Sequence, residues 1–349
     1  VLIFLVRFFI KEKMNIYIDY YKQHRTKFSF LMVPYKRRDF VKKSILSLGM
    51  IPFLSYPNKA WTLNTSENND ALSVHIFSKH LQFLDYKTTG ETAAEMGFNG
   101  VDLTVRPKGH VLPEHVEVDL PKAIVDIKAG GSRCDMITTS IENINNALDV
   151  DIIKTAAEHG IKYYRTNWFE YIKDKPLKES IEIYKHQIKD LSNFNKAHNI
   201  IGCYQNHAGT KVGASFWEIN AILELADTQY FGTQYDIRHA VAEGGHSWEN
   251  GLNLLQNQIK VIVLKDFKWG KVDGQWKPIN VPIGEGMVNF DKYFKLLKKY
   301  NLKPPVSLHL EYDLGGAEKG LSKISVDKKV VFDAMKKDLK VIQILWQNA

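Results

Sequence analysis

From residue 70 to its end, this 349-residue chain repeats one pattern eight times: a short β-rich run, then a longer stretch with helical character. Strands are expected at 72–77, 100–105, 133–138, 162–166, 200–205, 230–236, 261–265 and 306–311. Helices are expected at 89–96, 120–129, 151–159, 177–198, 216–225, 247–258, 290–300 and 327–347. Gly130-Gly131 and Gly160 supply helix stops, and Pro304-Pro305 breaks the chain before the last strand. Regular alternation of this kind calls for a parallel sheet with helical crossovers. Eight units in about 280 residues match an α/β fold of the (β/α)8 TIM-barrel type, built as a single domain. A doubly wound open sheet lacks its signature here. No G-x-G-x-x-G follows the first strand, no Walker-type loop is present, and the Gly-containing loop 282–286 does not lead a strand into a phosphate cradle.

Residues 1–60 differ from the barrel that is expected to fill 61–349. Lys36-Arg37-Arg38-Asp39-Phe40-Val41-Lys42-Lys43 precedes an apolar run over 44–54, the pattern of a twin-arginine export signal. About a dozen apolar residues are too few to span a bilayer, which takes roughly 20. Asn58-Lys59-Ala60 gives a weak small-residue cleavage site. Met32, just ahead of the basic motif, is the expected true start, with residues 1–31 a misassigned extension. The reading places the mature protein in the periplasm or outside the cell, touching the membrane only through an uncleaved leader. The same division removes the basic character of the chain. Its net charge is +8, but residues 1–60 hold 12 Lys and Arg against 3 Asp and Glu, leaving 35 against 36 in the rest. Nucleic acid is therefore not an expected partner. Cys134 and Cys203 each sit in an apolar run and are expected as buried free thiols. The oligomeric state stays open.

In a barrel the chemistry collects at the C-terminal ends of the strands. Ionisable residues recur there in nearly every unit: His75 with Lys79 and His80, then Asp102, Arg106 and His110, then Asp135. Arg165 and Asn167 close the fourth strand, and Gln205, Asn206 and His207 the fifth. Asp236 and His239 follow the sixth, Lys265 and Asp266 the seventh, and His309, Glu311 and Asp313 the eighth. Taken singly, an Asp after a strand is an ordinary helix cap, and Asp266 or Asn167 could be no more than that. Recurrence at one end of every unit is what points to a site.

At these residues the chain resembles the xylose-isomerase-like barrels, which include sugar isomerases and epimerases and the related apurinic endonucleases. The resemblance spans about 70–345 and is carried by Gly97-Phe98-Asn99-Gly100-Val101-Asp102-Leu103-Thr104-Val105-Arg106-Pro107-Lys108-Gly109-His110-Val111. Tyr204-Gln205-Asn206-His207-Ala208-Gly209-Thr210, Asp236-Ile237-Arg238-His239, Leu264-Lys265-Asp266 and Leu310-Glu311 carry it further. The resemblance implies a divalent metal (Mn, Mg, Co or Zn) held at the ends of strands five to eight. The implied ligand positions are Gln205, Asp236 with His239, and Glu311. Two positions depart from the pattern: Gln205 stands where a Glu is usual, and Val263 where a His is usual. Gln205 can still offer a carbonyl oxygen, whereas Val263 cannot ligate.

Isomerisation or epimerisation of a sugar removes a proton from a carbon next to a carbonyl, which takes a positioned base and a stabiliser for the developing oxyanion. Glu311 is the expected base and Lys265 the expected electrophile, with Asp266 beside it as a third catalytic candidate. His75, Arg106, His110, Arg165, Asn206, His207 and His309 are the candidates for binding a small carbohydrate, and Trp168, Phe267 and Trp269 for stacking on a sugar face. Gln205 cannot act as a second base. That leaves elimination or hydration of a keto-sugar as an alternative to isomerisation, and a non-catalytic carbohydrate-binding barrel as a third reading.

Overall fold

The computed structural model describes residues 70–349, so the proposed leader, its start at Met32 and its cleavage site lie outside the described residues. Eight parallel strands close into a barrel: β1 (Val74–Phe77), β2 (Gly100–Val105), β3 (Arg133–Thr139), β4 (Tyr163–Arg165), β5 (Ile201–Gln205), β6 (Phe231–Asp236), β7 (Ile259–Leu264) and β10 (Val306–Leu308). Each pairs with its neighbour in parallel, and β1 closes the ring against both β10 and β2. The (β/α)8 TIM-barrel expectation is therefore met, with strand positions within a few residues of those read from the sequence.

Helices α1 (Tyr86–Met96), α2 (Val116–Ala129), α3 (Ala147–Glu158), α4 (Leu177–His198), α5 (Phe216–Ile222), α6 (Ile237–Gly244), α7 (Trp248–Leu255), α8 (Phe290–Lys299) and α9 (Lys328–Asn348) connect the strands. Their ends follow local chemistry. Asp85, Asn146, Ser215, Asn289 and Asp327 each accept a backbone N–H of the first turn. Gly97 and Asn199 close α1 and α4 in the left-handed region, where a residue without a Cβ or with a short amide is favoured. No helix among the described residues is long and apolar enough to cross a membrane.

Two elements go beyond the eight-unit expectation. Asp236 starts the short α6 directly at the end of β6. After β7, the chain forms an antiparallel hairpin of β8 (Asp266–Val272) and β9 (Gln275–Val281), joined by Asp273 and Gly274, both at positive φ. That geometry is a two-residue turn matched to strand twist.

Period-two alternation sorts the strands into two faces. Outward residues such as Ile76, Leu103, Tyr164, Tyr204, Ile262 and Leu308 join the large apolar layer under the helices. Met136, Cys203 and Val261 form a separate small cluster inside the barrel. Above them the inward positions turn polar: Arg165, Gln205, Asp236, Lys265, His309 and Glu311, so one face of each strand carries the site while the other carries the fold. Both cysteines are buried and free, as expected.

Candidate functional site

Lys265 follows the last residue of β7 and is the centre of the site. Its ammonium lies 3.1 Å from Asp236 Oδ2 and 3.3 Å from Glu311 Oε2. Asp236 is fully buried and held by several groups at once. Gln205 donates its amide N–H to Oδ2 at 2.8 Å, and the His239 backbone N–H donates to Oδ1 at 3.0 Å, making Asp236 the N-cap of α6. His239 Nε2 lies 3.7 Å from Oδ2. Asn206 clamps the main chain of Asp236, donating to its carbonyl at 3.0 Å and accepting its N–H at 2.7 Å. Burial raises the Asp236 carboxyl above its ordinary range, and Lys265 opposes that rise.

Glu311 is bound from two sides, by Lys265 and by Lys79 at 3.4 Å, with His309 Nδ1 at 3.9 Å. Burial alone would raise this carboxyl, but Lys265, His309 and Lys79 outweigh it and hold it well below the usual carboxylate range. His309 stacks on Phe77, with ring centroids 4.1 Å apart, and its Nε2 meets Ser307 Oγ at 3.0 Å. Ser307 in turn donates to the buried Asp102 at 2.5 Å. Burial, followed by the nearby Lys265, lowers the His207 imidazole to about 4, and burial lowers that of His309 to about 3. Both rings are therefore neutral at pH 7.

A cavity of about 70 Å³ opens over this group, lined by Phe77, Lys79, Arg106, Arg165, Trp168, Gln205, His207, Lys265, His309 and Glu311. The structure thus brings together Glu311, Lys265, Arg106, Arg165, His207, His309 and Gln205, with Asp236 and His239 packed against them. Trp168 stands beneath the Arg165 guanidinium at 4.2 Å and beside His207 at 4.5 Å. Lys79 and Phe77 also line the cavity; the sequence placed Lys79 just past the first strand but gave it no role.

Four expected site residues lie elsewhere. Asp266 does not line this cavity: its carboxylate accepts the backbone N–H groups of Phe267, Gly284, Gly286 and Val288 and pins the loop after the hairpin. Adjacent strand residues point to opposite faces, so a Lys265 aimed inward turns Asp266 away. His75 does not reach the cavity. It pairs in register with Gly100 at the start of β2, and its Nε2 lies 3.7 Å from Asp135 Oδ2. His110 bonds Ser78 Oγ at 3.0 Å and lines a separate cavity of about 700 Å³ with Tyr86, Lys108 and Asp126. Asn206 is wholly buried and positions Asp236 rather than facing a ligand. Of the other stacking candidates, Phe267 is buried under Arg238 at 4.9 Å, and Trp269 stands half-exposed on the hairpin, away from this cavity.

The expected metal ligands are neighbours, but their donor set does not suit a divalent cation. Gln205 presents its N–H to Asp236, while its oxygen accepts from Arg165 at 3.4 Å. The two carboxylates a metal would need, Asp236 and Glu311, are already joined by an ammonium. Val263, buried in the barrel wall, offers no donor. Among the described residues no three His, Cys, Asp or Glu side chains are grouped as a metal would require.

Solved structures show the same architecture at low identity. D-psicose 3-epimerase from Clostridium cellulolyticum H10, solved with D-tagatose, is 12% identical, aligns over 79% of this chain and 99% of its own, and has a TM-score of 0.61. The probable 3-DHS dehydratase AsbF of Bacillus anthracis is 14% identical over 78% of this chain and 98% of its own, with a TM-score of 0.58. The 3-keto-D-glucoside 4-epimerase YcjR of Escherichia coli is 11% identical over 77% and 99%, with a TM-score of 0.57. Other similar structures were solved with magnesium or zinc. No curated protein sequence matches significantly. Residues 91–326, more than half of the sequence, match one family, and with the closed eight-stranded barrel this makes the chain a member of the xylose isomerase-like TIM-barrel family.

Proposed function

We propose that this protein is a sugar-modifying enzyme that removes a proton from a carbon next to a carbonyl, with Glu311 as the base and Lys265 as the electrophile, in place of a metal ion. The observation that carries the reading is the Lys265 ammonium set between Asp236 and Glu311 at the mouth of the barrel. The ammonium supplies the positive charge that a developing enediolate oxygen needs. Two of its three N–H donors are directed at carboxylates, and the third is available to a substrate oxygen.

Glu311 is ionised at neutral pH and so is ready to accept a proton. Its resting basicity is low because Lys265 and Lys79 both hold it. A carbonyl oxygen that draws a Lys265 donor toward itself weakens that hold and raises the basicity of Glu311 as the oxyanion forms. The proton moves from carbon to Glu311, the electron pair moves onto the carbonyl oxygen beside Lys265, the neighbouring hydroxyl passes its proton to that oxygen, and Glu311 returns its own proton to the former carbonyl carbon. That completes an isomerisation with a single base. Gln205, which donates to Asp236 and cannot accept a proton from carbon, favours a second reading in which the enolate expels a β-hydroxyl, which takes the proton held by Glu311 and leaves as water. The neighbours' printed chemistries, epimerase and dehydratase, span the same pair of outcomes. Export by the leader extends the proposal to free or oxidised sugars met outside the cytoplasm.

The test is proton exchange. The full chain is incubated with a panel of ketoses and keto-glycosides in D2O, and deuterium at the carbon next to the carbonyl is followed by NMR. Exchange is expected with at least one member, falling by about 10²-fold or more in Glu311→Gln, the span of general-base effects. Exchange by that variant at the wild-type rate would remove Glu311 from the mechanism. No exchange across the panel would favour the sugar-binding barrel.

A further inference from the structure

The cavity is lined by more cationic groups than the chemistry above uses. Lys79 and Lys265 are both engaged with Glu311, and Lys265 also with Asp236. Arg106 and Arg165 are not matched in this way. Neither forms an ion pair with any described carboxylate, and the Arg106 guanidinium has no side-chain hydrogen bond among the described residues, only the Phe77 ring at 5.5 Å. Arg165 is 4% exposed, yet its two side-chain hydrogen bonds are long and go to neutral acceptors, Gln205 Oε1 at 3.4 Å and the Thr139 carbonyl at 3.5 Å. The buried Asp102, which favours the charge of both arginines, already receives hydrogen bonds from Ser307 at 2.5 Å and from Thr138 at 3.0 Å.

Two guanidinium groups at one small cavity, one of them deeply buried and neither in a direct ion pair with a carboxylate, are costly to hold in place. Each lies on an aromatic face, Arg165 on Trp168 and Arg106 on Phe77. Stacking fixes the plane of a guanidinium while leaving its in-plane N–H fork for a planar or tetrahedral oxyanion. Sugar hydroxyls would satisfy the donors but not the charge.

We infer that the site takes an acidic carbohydrate, its carboxylate or phosphate group seated between Arg106 and Arg165. The inference builds on the proposed sugar chemistry but concerns binding alone. The oxyanion is held at the β2/β4 side of the mouth, leaving the carbonyl end of the molecule to Lys265 and Glu311 on the β7/β10 side.

Binding to the full chain is measured by titration calorimetry with D-gluconate, D-glucose 6-phosphate, D-glucose and inorganic phosphate. Gluconate or glucose 6-phosphate is expected to bind at least about tenfold tighter than glucose, as one charge-assisted bidentate contact allows. The preferred member of the pair tells carboxylate from phosphate. Arg165→Met and Arg106→Gln are each expected to reduce that ratio by about tenfold, because the acid loses more affinity than glucose does. Arg165→Met is expected to melt no lower than the parent protein, because it removes a buried cation that is bonded to no carboxylate, and to lose the melting-temperature increase that the acidic sugar gives the parent. Equal binding of glucose and both acids, no binding of any sugar at 20 mM, or an acid preference that survives both substitutions would each overturn the inference. Tighter binding of inorganic phosphate than of either acidic sugar would do the same, by marking a general anion site. Binding without deuterium exchange would leave this inference standing and remove the enzyme reading; exchange on neutral keto-sugars without acid preference would do the reverse.

Discussion

Replacing Lys265 with Met isolates the charge on which the site depends. Met has nearly the same length and an unbranched chain, so it fills the channel between β6 and β10 and removes the ammonium. In the parent, that ammonium lies 3.1 Å from Asp236 and 3.3 Å from Glu311. At an effective dielectric of about 20, each contact is an attraction of about 5 kcal/mol before desolvation is counted. Removal gives back the cost of burying Lys265 and leaves the acids behind. Asp236 keeps Gln205 and the α6 N–H, and Glu311 keeps Lys79. The net loss falls mostly on Asp236, which is wholly buried, and removing one partner of a buried pair costs about 3–5 kcal/mol.

The pH dependence separates this account from lost packing. In the parent, Glu311 titrates below its unfolded value of about 4.3, so its contribution is present above that pH and fades as the pH drops through the lower folded value. In Lys265→Met, burial acts on Asp236 without the opposing ammonium, and its folded pKa rises further above the unfolded value of about 3.9. A raised carboxyl binds its proton more tightly in the folded state, so the variant loses stability as pH rises from about 4 toward neutrality. The gap between parent and variant is therefore expected to be widest above pH 7 and to narrow by pH 5. Urea unfolding followed by circular dichroism at pH 5.0 and 7.5 measures it. A loss smaller than about 1 kcal/mol at pH 7.5, or an equal loss at the two pH values, would show that the ammonium is not the counter-ion described.

Two further outcomes follow from the same geometry. Asp266→Asn removes the charge that collects four backbone N–H groups. It is expected to cost about 2 kcal/mol or more and to open loop 282–288 to proteolysis, with the acidic-sugar preference retained. EDTA treatment followed by desalting is expected to leave deuterium exchange and melting temperature unchanged, and 1 mM Mn, Zn or Mg to raise the melting temperature by less than 1 °C. A metal-dependent rise of the size expected for a ligand at 100 times its Kd, about 2.7 kcal/mol, would refute the assignment of Lys265 to the metal's role.

The barrel was legible because each unit declares itself twice, by strand alternation and by a helix with a stop. The hairpin β8–β9 escaped, although Asp273-Gly274 between runs carrying Trp269 and Trp276 is a turn signal; the expectation of one helix per strand left no place for it. The site was legible as a cluster and less so as an assignment of roles. Asp266 looked catalytic by standing next to Lys265, yet period-two alternation already turns it to the other face. His75 has the right parity but the wrong height in the barrel, and height depends on strand register, which local sequence does not specify. His110 follows β2 within a loop whose path puts it on another cavity. Arg165 has both parity and height, and only its burial without an acid, a property of the assembled barrel, shows what it is for.

On the proposed reading, Val263, which offers no ligand atom, and Lys265, whose ammonium joins Asp236 and Glu311, belong to one arrangement. A divalent ion would supply two charges and several coordination positions, enough to hold two substrate oxygens at once. An ammonium fixed to two carboxylates has one N–H left and can polarise one oxygen. The rest of an acidic substrate then has to be oriented by other cations, and Arg106 and Arg165 stand across the same mouth, each on its own aromatic ring. On this account the arginines and the lysine are coupled in function: an acidic sugar oriented by the pair delivers its carbonyl to the single free donor of Lys265, whereas a neutral sugar can reach Lys265 without orientation. The exchange rate should therefore fall much further in Arg165→Met for acidic substrates than for neutral ones, a split that loss of general packing would not produce.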